Sequence, residues 1–183
     1  MEIVTYEQAR RYINDGDIIF TNNKKGWVVG PLIRFFTRAH YTHVGIAFWM
    51  RTGGRDRLMM VEAQGGARRR IVNLSMYRDI DIDVVTPPKS WETVNNKALE
   101  RLSQVPYGWF EAGYVGFREF MLKYFNSKMP YKNLPGEICS EFVANIYGLP
   151  YNHVSPQLLL EQLLNKGQKI RMRIRGAGYP PLS

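Results

Sequence analysis

The strongest constraint on the fold is a pair of alternating segments, HVGIAFW at residues 43–49 and RLMMVEAQ at residues 57–64. The polar stretch TGGRD separates them, so the pattern predicts an antiparallel β-hairpin. Three more segments have strand-like patterns, and Pro87 with Pro88 closes this part of the chain. These further strand candidates are GDIIFTN at 16–22, ARRRIVNL at 67–74 and IDIDVV at 80–85.

Helical patterns flank the predicted strands. Thr5 followed by Gln8 resembles a capping box, which predicts a first helix from about residue 6 to residue 14. Ser155 and Pro156 supply an N-cap and a first-turn proline for PQLLLEQLLN. The order of helix, strands and helices predicts the α+β class. Other helical candidates are WVVGPLIRFFTR at 27–38, the segment from residue 90 to 105, YGWFEAGYVGFREFMLKYF at 107–125 and ICSEFVANIYG at 138–148.

Length and composition favour one domain spanning residues 1–183, since 183 residues with 45% hydrophobic content suffice for one core. No apolar run approaches the roughly 20 residues that a membrane helix needs. The N-terminus lacks the basic start and continuous apolar block of a signal peptide. We therefore expect a protein that is cytoplasmic or carried in a larger particle such as a virion.

The formal net charge of +9 favours anionic partners, among them nucleic acid, an acidic membrane surface or a cell-wall polymer. Much of the charge lies in two blocks. Each block fits either a solvated strand or tail, or a dedicated polyanion site, and we interpret both as modulators. The blocks consist of Arg68, Arg69 and Arg70, and of Lys166, Lys169, Arg171, Arg173 and Arg175.

The single cysteine, Cys139, excludes an internal disulfide and a thiolate-rich zinc site. It opens a predicted helix, whose free N–H groups and dipole stabilise a thiolate and bind the oxyanion formed in acyl transfer. The alternative is packing, because Cys139 shares a helix face with Val143 and Ile146. Glu137 and Glu141 also oppose thiolate formation. Taken alone, Cys139 fits either role.

A thiol nucleophile needs a base, and His43 is the best-placed histidine. It begins a strand on the face that carries Gly45 and Ala47, whose small size is expected to let the Cys139 helix pack close to the sheet. His40 and His153 lie in predicted loops, where a surface role is the default.

In the predicted hairpin, Glu62 or Gln64 falls opposite His43, depending on the register. Either side chain can accept a hydrogen bond from the imidazole and hold its tautomer. We prefer Glu62, because a carboxylate also stabilises the imidazolium. An ordinary polar pair on a solvated sheet face is the alternative.

The motifs GDIIF, THVGIAF, VEAQGG, ICSEFVANIYG and SPQLLL, in this order, resemble the permuted NlpC/P60 hydrolases of the YiiX/YebB type, which are related to the lecithin:retinol acyltransferase group. The resemblance implies a circularly permuted papain-like fold, with the nucleophile helix packed against an antiparallel sheet. Carried over by position, it implies Cys139, His43 and Glu62 as catalytic residues, with Gln64 as an alternative third member. Asp17, in GDIIF, is interpreted as a turn residue near the site.

These observations lead us to expect a cysteine peptidase or amidase that cleaves an amide or ester, with a peptidoglycan-type peptide amide preferred. A lipid amide or ester hydrolase, or an acyltransferase, is the second reading. A binding or structural module that contacts an anionic partner, with nucleic acid among the candidates, is the third. The expected mechanism requires no metal or organic cofactor. The aromatic segment 107–125 fits either core packing or the lining of a groove.

Overall fold

The computed structural model describes residues 3–22, 40–64, 69–103, 117–118, 121–122, 124–126, 138–150 and 154–176. Within these ranges the protein is α+β, as predicted, and seven strands form one sheet. The predicted helix at residues 27–38 and most of the aromatic segment at 107–125 lie outside the described residues. No described helix combines the length and the apolar character that crossing a membrane demands.

The sheet has the strand order β1-β7-β6-β2-β3-β4-β5, and its pairs are antiparallel except β1 with β7. The predicted hairpin is confirmed as β3 and β4. Its turn consists of Gly53 and Gly54, whose φ angles of 64° and 72° lie in the left-handed region that favours glycine. The strands are Ile3–Val4 (β1), Ile18–Asn22 (β2), His43–Thr52 (β3), Arg55–Glu62 (β4), Arg70–Asn73 (β5), Asp81–Val85 (β6) and Ile170–Ile174 (β7).

Four α-helices fall within the described part of the chain: Tyr6–Ala9 (α1), Trp91–Glu100 (α2), Cys139–Tyr147 (α3) and Pro156–Asn165 (α4). The Thr5 capping box is confirmed, but α1 is shorter than predicted, because the chain tightens into a 3-10 turn at Arg10–Tyr12. The predicted stop of α3 is also confirmed, since Gly148 has a φ of 63°.

The core lies on both faces of the sheet, because successive strand residues point to opposite sides. On one face, Val44, Ile46 and Phe48 of β3 pack in a cluster that includes residues of α2, α3 and α4. On the other face, Ala47 packs with residues of α1 and of the 3-10 turn Leu74–Tyr77. The sheet is therefore buried on both sides, and His43 lies where β3 begins.

The second basic block is part of the sheet. Strand β7 contains Arg171 and Arg173, which form ion pairs with Asp17 and Asp83 respectively, the latter at 3.1 Å between Nε and Oδ2. Lys166 and Lys169 are exposed. The block is thus a partly solvated strand, and two of its guanidinium groups neutralise buried carboxylates.

Candidate active site

The hairpin brings His43 and Glu62 together at one end of the sheet. His43 is the first residue of β3 and Glu62 the last of β4, and Gly45 is the residue paired with Glu62. Nε2 of His43 lies 2.8 Å from Oε2 of Glu62, and the Glu62 side chain is fully buried. The His43 side chain is 13% exposed. The imidazole is therefore held by a carboxylate that water does not reach.

Cys139 approaches His43 from the face of the sheet that α3 covers. The cysteine is the first residue of α3, it is 4% exposed, and its side chain is close enough to the His43 ring to raise the pKa of the imidazole. Because Nε2 of His43 faces Glu62, Nδ1 is the ring nitrogen that remains for the thiol. Cys139, His43 and Glu62 are thus brought together at one end of the sheet.

The electrostatics of these three residues favour an imidazolium. Burial alone lowers the pKa of His43, but the Glu62 carboxylate and the nearby Cys139 side chain outweigh it and raise the pKa from 6.5 to about 10. For Glu62, burial raises the pKa, whereas His43, Tyr77 and Arg70 lower it to about 2. Both residues are accordingly charged at neutral pH.

The helix that carries Cys139 has a polar cap of its own. The carboxylate of Glu141 accepts a hydrogen bond from the backbone N–H of Ile138 at 3.2 Å, as the third residue of a capping box does. Glu141 is therefore directed to the helix start, where a carboxylate interacts favourably with the helix dipole. Ser140 donates to the carbonyl of Val154 and so ties the beginning of α3 to the segment before α4.

The route by which the helix meets His43 differs from our prediction. Gly45 does not make room for α3, because a Cβ there would lie 2.8 Å from Cγ and Sδ of Met60 and 2.9 Å from the carbonyl oxygen of Val61. Ala47 packs on the face opposite to α3. The expectation that these two residues admit the helix is wrong: α3 rests on Val44 and Ile46, and Cys139 meets His43 at the end of the strand.

In the β3–β4 register, Gln64 would be the next residue after Glu62 on the same face of the sheet, but β4 ends at Glu62. Gln64 is half-buried, and the hydrogen bond described for the His43 ring is to Glu62. Exposed His40 donates its backbone N–H to Gln157, with its ring edge-on to Tyr41. His153 lies outside the described residues.

Asp17 is a turn residue, but it is not near the site. Its carboxylate accepts the backbone N–H of Asn14 at 2.7 Å and forms the ion pair with Arg171. The residue precedes β2, and the β2 residue paired with His43 is Thr21, at the other end of that strand. The placement of Asp17 near the site is therefore wrong, because antiparallel pairing puts it by Ala47.

The first basic block is built into the protein. Arg69 is 6% exposed, donates to the carbonyl of Arg101 at 2.7 Å and lies over the ring of Phe142. Arg70 pairs with Glu62 at 2.8 Å. Arg68 lies outside the described residues. Arg69 is therefore not a solvated side chain, and the guanidinium of Arg70 forms an ion pair with the buried carboxylate of Glu62.

Sequence reasoning missed Tyr77 as a member of the site. Its hydroxyl donates to Oε2 of Glu62 at 2.7 Å, and its ring lies nearly parallel to that of His43, with centroids 6.1 Å apart and 22° between the planes. The one sequence signal is Asn73, whose side chain caps the 3-10 turn that ends at Tyr77. An Asn at a strand end predicts a turn but does not predict which side chain the turn places in the site.

A cleft of about 420 Å³ opens at the same end of the sheet. Two of its residues, His40 and Tyr41, directly precede the strand that His43 begins, and β6 lies two strands from β3, which corresponds to about 10 Å. All of its lining residues except Ile174 carry a polar or charged group in the side chain. The lining consists of His40, Tyr41, Asp81, Asp83, Gln157, Arg173, Ile174 and Arg175.

Comparison of the sequence with protein-family models and with curated protein sequences gave no match.

Proposed function

We propose that this protein is a cysteine hydrolase in which Cys139 is the nucleophile, His43 the general base and acid, and Glu62 the residue that orients the imidazole. The observation that carries the proposal is that Cys139, at the start of α3, comes next to an imidazole that the buried carboxylate of Glu62 holds at 2.8 Å. A nucleophile, a base and an orienting third group in hydrogen-bond contact are the parts that covalent acyl transfer needs.

The finer fold assignment is part of the same proposal. A helix that begins with the nucleophile and packs on an antiparallel sheet, with the histidine at the start of a strand, is the arrangement implied by the permuted NlpC/P60 resemblance. The chain order, with His43 and Glu62 before Cys139, supports a circularly permuted papain-like fold. We assign the protein to that group on these grounds.

The mechanism follows from the charges. The Cys139 thiolate attacks the carbonyl carbon of an amide or ester, and the N–H groups of the first turn of α3 stabilise the resulting oxyanion. When the tetrahedral intermediate collapses, the bond to the leaving nitrogen or oxygen breaks and His43 gives that atom a proton. Water then attacks the thioester and His43 accepts its proton; the second tetrahedral intermediate collapses with cleavage of the C–S bond, which releases the carboxylic acid and restores the Cys139 thiolate beside the imidazolium.

The cleft beside the site favours a peptide amide as the substrate. Its carboxylate, guanidinium, imidazole and amide groups can hydrogen-bond a polar ligand, whereas an acyl chain would bury them without adding a hydrogen bond. A peptidoglycan-type peptide combines amide bonds with charged groups, so it is the preferred substrate class.

One observation favours an acyl-lipid substrate instead. Three large apolar side chains between residues 117 and 125 are well exposed: Phe117 at 43%, Leu122 at 49% and Phe125 at 65%. Exposed apolar side chains on a protein with a net charge of +9 suit contact with an anionic lipid surface. A lipid amide or ester hydrolase, or an acyltransferase, is therefore the second candidate.

Thiol alkylation tests the proposed nucleophile. We expect iodoacetamide to label Cys139 at pH 6 about tenfold faster in the wild type than in His43→Ala, because His43 stabilises the thiolate. The truncation opens space beside a cysteine that is 4% exposed, so better access alone would accelerate labelling. His40→Ala is the matched control, with an unchanged rate. Equal or faster labelling in His43→Ala overturns the proposal.

Turnover separates the two substrate classes. Purified peptidoglycan and acyl-phospholipid vesicles are each incubated with the wild type and with Cys139→Ala. We expect newly released amines from peptidoglycan and none from the Cys139→Ala variant. Release of fatty acid from the vesicles alone would favour the lipid candidate, and any turnover that persists in Cys139→Ala removes this cysteine from the mechanism.

A further inference from the structure

The carboxylate of Glu62 has more partners than a triad requires. Oε2 accepts hydrogen bonds from Nε2 of His43 and from the hydroxyl of Tyr77, and Oε1 accepts one from Nε of Arg70 at 2.8 Å. The Glu62 side chain is fully buried, whereas that of Arg70 is 36% exposed. One buried anion is thus shared among an imidazole, a phenol and a guanidinium.

A single short stretch of chain supplies both extra donors. Arg70 is the first residue of β5 and pairs with Glu62 across the ladder, so the two side chains lie side by side on one face. The 3-10 turn Leu74–Tyr77 follows β5 at once, and Asn73 caps it by accepting the N–H of Ser75 at 3.0 Å. This turn brings Tyr77 back over His43.

We propose that Tyr77 and Arg70 are positioning residues for the reaction, which hold the Glu62 carboxylate in place and draw part of its negative charge away from His43. The inference depends on the proposed function. Neither residue touches the thiol in the contacts described above; each acts through Glu62, and Tyr77 also confines the imidazole ring from one side.

The physical reason is that His43 must both accept and donate a proton during the reaction. The imidazolium must form next to the thiolate and must later surrender its proton to the leaving group. An unshared buried carboxylate binds the imidazolium so tightly that the second step is slowed. Hydrogen bonds from Arg70 and Tyr77 lower the charge density on Glu62, and the Arg70 cation opposes the imidazolium directly. They therefore leave His43 a weaker base than Glu62 alone would make it.

Titration of the His43 ring by NMR tests the inference, in full-length protein with Cys139→Ser so that the thiol does not titrate. We expect Arg70→Met to raise the pKa of His43 by about one pH unit, because a cation within a few ångströms of the pair is lost. Arg70→Lys keeps the charge and is expected to restore most of the wild-type value. Tyr77→Phe keeps the ring, removes one donor and is expected to produce a smaller rise.

Two matched controls separate this role from a structural one. Arg57→Met removes the same charge from an exposed position of β4, and Tyr147→Phe removes a buried hydroxyl that donates to the carbonyl of Gly16 at 2.5 Å. Both leave Glu62 untouched, so neither is expected to alter the pKa of His43. A merely structural role for Arg70 and Tyr77 predicts lower stability with no change in this pKa.

The outcomes distinguish this inference from the proposed function. If the pKa of His43 is unchanged or falls in both Arg70→Met and Tyr77→Phe, while Cys139 of the otherwise wild-type protein shows His43-dependent alkylation, the positioning role is overturned and the function stands. If that alkylation is absent, the function fails and the positioning role fails with it. Rises in both variants together with His43-dependent alkylation support both.

Discussion

The carboxylate of Glu62 decides which nitrogen of His43 serves the thiol. A carboxylate can only accept, so the proton of the neutral imidazole resides on Nε2, 2.8 Å from Glu62. The lone pair is then on Nδ1. Any residue that replaces Glu62 must therefore accept a hydrogen bond, or the ring presents the wrong nitrogen to Cys139.

The same pair gives the stability of the protein a defined pH dependence. The pKa of His43 rises from 6.5 to about 10 on folding. Its contribution to the free energy of unfolding is therefore full below pH 6.5 and is lost as the pH rises through 10. The pKa of Glu62 falls from 4.5 to about 2, so its contribution is present above pH 4.5 and is lost in acid. The pair therefore stabilises the fold most between pH 4.5 and 6.5.

We expect the free energy of unfolding of His43→Gln to lie furthest below that of the wild type in this window. The gap should shrink steadily as the pH rises from 6.5 to 10. Urea unfolding of both proteins across this range measures it. His40→Gln, at an exposed position, should show a small gap that does not vary with pH. A gap for His43→Gln that widens above pH 6.5 would contradict the assigned direction.

Some contacts of the candidate site could be predicted from local sequence patterns, and others could not. The proximity of His43 and Glu62 follows from strand alternation and one tight turn, both of which are local patterns. Tyr77 comes 15 residues after Glu62, and its approach depends on a 3-10 turn that no periodicity signals. Arg70 belongs to a run of arginines, a pattern typical of an exposed surface. Only the tertiary structure shows that it forms an ion pair with the buried carboxylate of Glu62.

Among the elements, helices α2 and α4 are each preceded by a serine, but only one of the two serines caps its helix. Ser155 precedes α4, and its hydroxyl accepts the N–H of Leu158 at 3.3 Å. Ser90 precedes α2, but its side chain makes no hydrogen bond to the backbone of the first turn and lies 3.1 Å from the hydroxyl of Thr93. The two serines therefore form a matched pair.

We expect Ser155→Ala to lower the free energy of unfolding by about 1 kcal/mol, the usual loss when an N-cap acceptor is removed. Ser90→Ala should cost only a fraction of that, because no backbone N–H of α2 loses its acceptor. Chemical denaturation of both variants at one pH compares them directly. Equal losses would mean that Ser155 stabilises the protein by some other means than the cap.

The strands and helices that were predicted from the sequence are those with strong local sequence patterns. The hairpin, the end of α3 and the start of α4 were predicted correctly, because alternation, a glycine at the helix end and a serine followed by proline mark them. Strand β1 has only two residues, Ile3–Val4, too few for any periodicity. It exists because β7 offers a free edge to pair with, which is a property of the assembled sheet.

At the scale of the whole molecule, protection of the sheet should decrease from its middle to its edges. Strands β2 and β3 have two hydrogen-bonded neighbours each and are covered on both faces, whereas β5 is an edge strand. Amides of central, doubly covered strands exchange only when the whole protein unfolds, and edges also exchange through local opening.

We therefore expect the amides of Ile18–Thr21 to exchange slowest in native-state hydrogen exchange, with a free energy equal to that of global unfolding. The amides of Ile71–Asn73 should exchange faster and depend less on denaturant. Exchange followed by NMR at several urea concentrations measures both. Equal protection in the two strands would mean that β5, with Arg70 and the turn that delivers Tyr77, opens only with the core.

The glycine turn of the β3–β4 hairpin has a practical use. Residues 51–57 are exposed. Thr52 and Arg55, which flank the two glycines, are the attachment points, because the left-handed φ of Gly53 and Gly54 would strain a side chain there. His43 stands at the opposite end of the ten-residue strand β3, roughly 30 Å away. A fluorophore or a surface tether attached at this turn leaves the thiol end of the molecule facing outward, so that the protein can be immobilised in one orientation with its candidate site open to the solution.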